Sequence, residues 1–224
     1  MAIEKTMFTG QTLAEQATEL LTYLQENAAD YFDTIEADAS GNISCYVGDT
    51  VALLIGMDGT TARKVTLANG NAVQCVNGSF VSPNAALWQY AKKTANGVLL
   101  VSVALMNSST NYGKVVFFIT KNEGGDTCIV GAVINGEISN VRRTYFFADI
   151  KNDTTIFTPV SYAADFSTLS RSMTVTALTP VVFNGGHYAP KAYIATFNQF
   201  ALTECDISIN GKSYASDGVC VLSD

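Results

Sequence analysis

The one histidine of the chain, His187, follows Asn184-Gly185-Gly186 and precedes Tyr188 and Pro190. A loop histidine can bind a ligand or titrate near neutrality. No nucleophile accompanies it in the sequence, so it reads as an ordinary loop residue, and every His-based triad or Cys/His zinc site would have to rest on it alone. Glu204 and Asp206 would share one face of a short strand. Glycosidases use such carboxylate pairs when they stand roughly 5 to 9 Å apart, but a solvated face or a subunit salt bridge accounts for these two more simply. Glu36-x-Asp38-x-Ser40-Gly41 imitates the first half of a calcium-binding loop. Its twelfth position is Val47, where a bidentate glutamate is required, and a helix end running into a turn explains the residues better. Asn210-Gly211-Lys212-Ser213 imitates the end of a phosphate-binding loop, yet the glycine needed five residues before Gly211 is Asp206. A hairpin turn is the better reading.

Cys45, Cys75, Cys128, Cys205 and Cys220 contain no C-x-x-C pair. They read as reduced thiols without a metal, a Cys205–Cys220 bridge around the last hairpin being the exception to watch for. No catalytic residue, cofactor-binding residue or metal ligand is nominated, and the expectation is a protein that is not an enzyme and needs no cofactor.

Composition sharpens this. The 224 residues are 48% hydrophobic and only 15% charged, against about 25% charged in an average soluble domain. A chain of this size buries roughly 70% of its unfolded surface and needs no staples. Twenty acids against thirteen bases leave a net charge of −7, the wrong sign for phosphate backbones or anionic lipid, so neither nucleic acid nor membrane is expected as a partner. The opening residues lack a basic segment followed by an apolar run, and the longest apolar stretch, Val98 to Met106, is far short of the ~20 residues a spanning helix needs. The expectation is a chain that is made in a cytosol and stays soluble.

The elements that must hold these residues are mostly strands. Residues 12–35 carry the one long helical pattern: Thr12 and Glu15 form a capping box, and Leu13, Ala17, Leu20, Leu21, Leu24, Ala28, Tyr31, Phe32 and Ile35 recur at three- and four-residue steps. A second helix is expected at 83–95, with Ser82 as cap, Pro83 in the first turn and Gly97 past the end. Between them, Ile43–Val47, Val51–Ile55, Ala62–Leu67 and Ala72–Val76 read as an antiparallel meander. From Val98 onward nearly every segment is strand-like, punctuated by Asn-Gly at 96, 135, 184 and 210. Arg142-Arg143 opens an apolar strand, either as an edge guard or to meet an acidic neighbour. The expected fold is mainly β (α+β): an antiparallel β-sandwich-like body with one long N-terminal helix and one short internal helix. The division is 1–40, 41–97 and 98–224, with one continuous domain as the alternative.

Several strands are continuously apolar, as antiparallel strands are when both faces are covered in a sandwich core or a subunit interface. That surplus of apolar surface argues for self-assembly. Met7, Phe8, Leu13, Leu20 and Leu24 are the candidate subunit-docking residues, with residues 1–11 ordered by a neighbouring copy. The competing class is a monomeric β-sandwich binding module for carbohydrate or a host surface, stacking its ligand on Trp88 or the tyrosines.

Leu178-Thr179-Pro180, Tyr188-Ala189-Pro190-Lys191-Ala192-Tyr193, Asn198-Gln199-Phe200, Ile209 to Gly218 and the closing Val221 to Asp224 resemble the final hairpin of uncharacterised virion proteins of tailed bacteriophages. The resemblance covers about a quarter of the chain. It implies a structural component of the particle, on the head surface, at the neck or in the tail. Such a component would be made in the bacterial host cytoplasm and assembled with copies of itself, a trimer favoured, and with other virion proteins. No catalytic residues come with it.

Overall fold

The structure is a computed structural model, which describes residues 5–9, 13–58, 62–67, 72–74, 90–106, 111–137, 140–152, 154–162, 175–197, 205–216 and 221–223. Seventeen strands and one helix follow one another in these segments. β1 (Lys5–Met7) precedes α1 (Leu13–Asn27). Then come β2 (Thr34–Ala37), β3 (Ile43–Val47), β4 (Thr50–Asp58), β5 (Ala62–Leu67) and β6 (Ala72–Gln74), paired in that order as an antiparallel sheet. β7 (Tyr90–Lys93), β8 (Leu99–Met106), β9 (Asn111–Lys121), β10 (Thr127–Glu137), β11 (Asn140–Asp149) and β12 (Thr154–Tyr162) form a second sheet, with β1 added beside β7. The third sheet has the order β13-β14-β17-β16-β15, from β13 (Val175–Val182), β14 (Tyr188–Phe197), β15 (Cys205–Ile209), β16 (Lys212–Ser216) and β17 (Val221–Ser223).

The apolar strands of the second sheet explain the stacking. Val101 of β8, Phe117 of β9, Ile129 of β10 and Phe146 of β11 join one core with Leu20 and Leu24 of α1, Ala28, Phe32, and Ile43, Leu53 and Val65 of β3–β5. Their sequence neighbours Leu100, Phe118, Val130 and Phe147 point the other way, into a second core with Val181, Phe183, Ala189 and Ala215 of the third sheet. Alternate side chains of a strand leave on opposite faces, so this sheet is central and covered on both. Each fully buried Leu or Phe contributes roughly 1.5–3 kcal/mol. The surplus apolar surface that argued for a subunit interface is largely consumed inside one chain. The first core reaches from Phe8 to Ile150, so the segments 1–40 and 41–97 share it with the start of 98–224.

Gly131 is where two large side chains meet the pleat. It stands in register between Phe117 and Phe146, and a Cβ there would sit 2.7 Å from the Phe146 ring and 2.7 Å from Phe117 Cβ. Prolines sit where a missing N–H is tolerated: Pro159 and Pro180 on the outer strands β12 and β13, and Pro190 in β14 at a register irregularity.

Several expectations are corrected. The long helix stops at Asn27 rather than Ile35. Ala28 and Phe32 continue the apolar spacing because they plug the same core from a turn, bonded through Phe32 N to Ala28 O at 3.1 Å, while Ile35 pairs with Cys45 as a strand. Residues 90–93 of the expected second helix form β7, clamped between β1 and β8 with Ala91 fully buried; residues 83–89, with Trp88, lie outside the described residues. Arg142 and Arg143 are not on an edge, since β11 is paired on both sides by β10 and β12. Asn135-Gly136 is not a turn either: it runs within β10, opposite Arg142 and Val141.

Candidate functional site

The first recess forms where α1 passes the edge of the central sheet. Alternation along β1 puts Thr6 and Phe8 on the side of the sheet that carries α1, and Lys93 of β7 completes that wall. Thr18, Glu19, Thr22, Tyr23, Glu26 and Asn27 of α1 form the other, around a groove of about 610 Å³. Phe8 and Tyr23 meet edge to face at 6.3 Å. Burial pushes the Tyr23 hydroxyl up to about 12, so it stays a hydrogen-bond donor at neutral pH. Thr18 and Thr22 donate to the carbonyls of Ala14 and Thr18 at 3.0 and 3.1 Å, which leaves their oxygens free to accept. Lys93 Nζ reaches Asn27 O at 3.5 Å, where the helix C-terminus favours a cation.

A second recess of about 430 Å³ lies where the turn after α1 meets the ends of β9–β11, between Asp30, Tyr31 and Asp33 on one side and Lys121, Asp126, Thr127 and Lys151 on the other. Its charges are mostly engaged. Lys151 pairs with Asp126 at 3.1 Å, Asp33 Oδ2 accepts from Gly48 N at 2.6 Å, and Lys121 lies over the Tyr31 ring at 5.9 Å.

A polar knot gathers the turns at one end of the central sheet, and Glu123 beside it reaches the third sheet. In the β9–β10 turn, Asn122 Oδ1 accepts from Gly124 N and Asp126 N, both at 2.9 Å. Its Nδ2 donates to Asp149 Oδ2 at 3.0 Å, and Asn152 Nδ2 donates to the same oxygen at 2.9 Å. Asp149 is 1% exposed, and its Oδ1 and the Thr120 hydroxyl have no hydrogen-bond partner. Thr120, Cys128 and Asp149 lie abreast on β9, β10 and β11. Burial first, then the Asp149 carboxylate, drives the Cys128 thiol far upward, so it is a packed thiol and not a nucleophile. Beside the knot, Glu123 Oε1 lies 3.1 Å from His187 Nδ1, and its carboxyl is held below the usual range by the Tyr188 N–H and, more weakly, by His187.

The residues singled out from the sequence are scattered among these places. Phe8, Leu20 and Leu24 are buried in their own chain, so they present no docking surface, and β1 is ordered by pairing with β7, Met7 opposite Tyr90. The expectation of an N-terminal segment held by a neighbouring copy is corrected for these residues: the sheet itself had an open edge to offer. Leu13 begins α1, and the described residues do not extend to its side chain. His187 is a loop residue after all, paired with Glu123. Asp38 is the keystone of a turn, its carboxylate accepting from Ser40 N, Asn42 N and Asn42 Nδ2, which occupies the oxygens a calcium ion would need. Asn210 and Gly211, at φ 51° and 81°, make the hairpin turn between β15 and β16. Asp206 lies in β15 opposite Ala215, but Glu204 lies outside the described residues. Cys45 and Cys128 are free and buried; Cys75, Cys220 and the Cys205 side chain also fall outside them.

Glu19, Tyr23, Glu26, Asn122, Glu123 and Asp149 were not singled out beforehand. The turn-rich string Asn122-Glu123-Gly124-Gly125-Asp126 is the signal in the sequence that could have marked this turn. Comparison with known proteins gives no match: no family pattern fits the chain, and no curated protein or solved structure resembles it significantly.

Proposed function

We propose that this chain is a structural component of a tailed-bacteriophage particle, on the head surface, at the neck or in the tail, which assembles with copies of itself and with other virion proteins. One observation carries the reading. The stretch on which the phage resemblance rests coincides with the third sheet, whose outer face presents Val182 at 53% and Tyr188 at 41% exposure. These two stand in register with each other, and Pro180 with Tyr193, on the same face. Tyr193 in turn meets Tyr214 edge to face at 6.0 Å. A row of aliphatic and tyrosine side chains on an open sheet face suits a subunit contact.

The test is molar mass in solution by light scattering over a range of concentrations, for the native chain and for the double variant Val182→Glu, Tyr188→Glu. An oligomer that the double variant disperses without loss of folding supports the reading. A native chain that is monodisperse and monomeric at high concentration rejects self-assembly. It favours the second reading, a monomeric β-rich binding module for carbohydrate or a host surface, for which the groove beside α1 is the specific observation.

A further inference from the structure

We propose that the groove between α1 and the β1–β7 edge of the central sheet is a docking site for an extended, basic segment of a partner protein. Charge makes the first argument. Residues 6–62 carry nine Asp and Glu and no Lys, Arg or His, whereas residues 63–224 carry twelve bases and ten acids. The net negative charge of the protein is therefore concentrated in the segment that supplies α1, the turns after it and β2–β4, and Glu19 and Glu26 bring it to the groove. Along α1 stand Glu15, Glu19 and Glu26 with no basic residue among its fifteen positions. The groove's cation, Lys93, leans toward Asn27 O at the helix end.

The walls supply the rest. Glu19 and Glu26 lie two turns apart, about 10 Å along the helix axis, a span covered by roughly three residues of extended chain. Two basic side chains of one segment can reach both carboxylates, that of Glu19 being one that already accepts from the Thr9 hydroxyl at 3.3 Å. Thr18 and Thr22 have oxygens left to accept backbone N–H groups, and Tyr23 has a hydroxyl to donate. The Phe8–Tyr23 pair offers an apolar floor for the methylene stems of lysine or arginine, whose heads then lie against carboxylate. β1 is the outermost described strand of its sheet, and a groove that runs beside a helix suits a chain segment better than a compact ligand. The inference holds whether or not the protein belongs to a particle.

The experiment uses the full chain and a fluorescent, end-blocked peptide of about ten residues alternating arginine and threonine, followed by anisotropy, with the glutamate/threonine peptide as its counterpart. The expected result is binding of the basic peptide only, weakening as ionic strength rises from about 0.05 to about 0.5 M. Glu19→Gln with Glu26→Gln should weaken it by about tenfold or more, Thr22→Arg should also weaken it, and Asp49→Asn, which does not line the groove, should leave it within about twofold. Melting curves of each variant establish that it is folded, and Thr22→Arg carries the test if the double variant is not. Failure to bind the basic peptide below about 1 mM overturns the proposal. So does equal weakening by Asp49→Asn, which would mean diffuse charge attraction, or displacement of the peptide by equimolar spermidine, which would mean a small-polyamine site. A native dimer that Thr22→Arg dissociates would make the occupant a second copy and overturn it as well.

Discussion

Glu123 holds both backbone polar groups of Tyr188: its Oε2 accepts from Tyr188 N at 2.7 Å, and its own N donates to Tyr188 O at 3.0 Å. One residue in the turn between β9 and β10 thereby behaves as an extra rung of β14, strapping the third sheet to the central one beside the second core. The backbone rung survives any substitution at 123 except proline, which lacks the N–H, whereas the carboxylate rung depends on charge.

That dependence has a sign. Glu123 has a depressed folded pKa, so its contribution to stability is complete above the unfolded value near 4.3 and is lost as pH falls through the folded value. In a His187→Asn background, which removes the neighbouring imidazole, Glu123→Gln should lower the melting temperature by a constant amount above pH about 5. The gap should close on further acidification. A gap that persists unchanged to the acid limit of folding would show that the bond is not charge-assisted.

Gly131→Ala should be costly although the substitution adds a single methyl. The new Cβ meets Phe117 and Phe146 in a sheet covered on both faces, and overpacking of this kind costs about 1–3 kcal/mol. For a chain of this length the melting temperature should fall by roughly 2–4 °C per kcal/mol. An unchanged melting temperature would mean that the Phe146 ring and the neighbouring β9 backbone at Val116 and Phe117 yield freely.

Phe8→Ala should destabilise the isolated chain by about 3–5 kcal/mol, the usual cost of truncating a buried phenylalanine, because Phe8 is 5% exposed and packed in the first core. Deleting residues 1–11 should cost at least as much, since it also removes β1. A deletion that left the melting temperature intact while weakening self-association would restore the idea that this segment serves a neighbour.

Asp149→Ala removes the common acceptor of Asn122 and Asn152. Leaving a buried amide donor unpaired costs about 1–3 kcal/mol. Asn122→Ala on top of it should cost less than the two single effects combined, because both act on one network. Strict additivity in the denaturant midpoints would mean that the two side chains do not cooperate.

Native Cys45 and Cys128 should resist alkylation and become fully reactive on denaturation, with peptide mapping used to separate them from the other three. Burial pushes Cys45 to about 12 and Cys128 upward as well, so little thiolate exists at pH 8. Rapid native labelling at either position would mean that the core opens locally on the labelling timescale.

The β-rich class, the start of α1 at Leu13, the strands of the 43–67 meander and the Asn210-Gly211 turn were all legible along the chain. Those features follow from local chemistry: side-chain period, β-branched content and the need for positive φ at two adjacent residues. The tertiary structure decided what competes over distance. Tyr90–Lys93 carries helix-compatible residues, yet it became a strand because β1 and β8 offered ladders on both sides of it. Phe32 kept the helical spacing while leaving the helix, since a turn could deliver it to the same core. The apolar strands 99–103 and 115–119 announced covered faces but not what covers them. Only the packing shows that the sheets of residues 34–74 and 175–223 do so within one chain. The polar knot at Asn122, Glu123 and Asp149 joins residues from two turns and a strand end, a convergence that no periodicity records. The acid-only run from 6 to 62 was countable in the sequence, but it acquired meaning only with α1 flanking a groove.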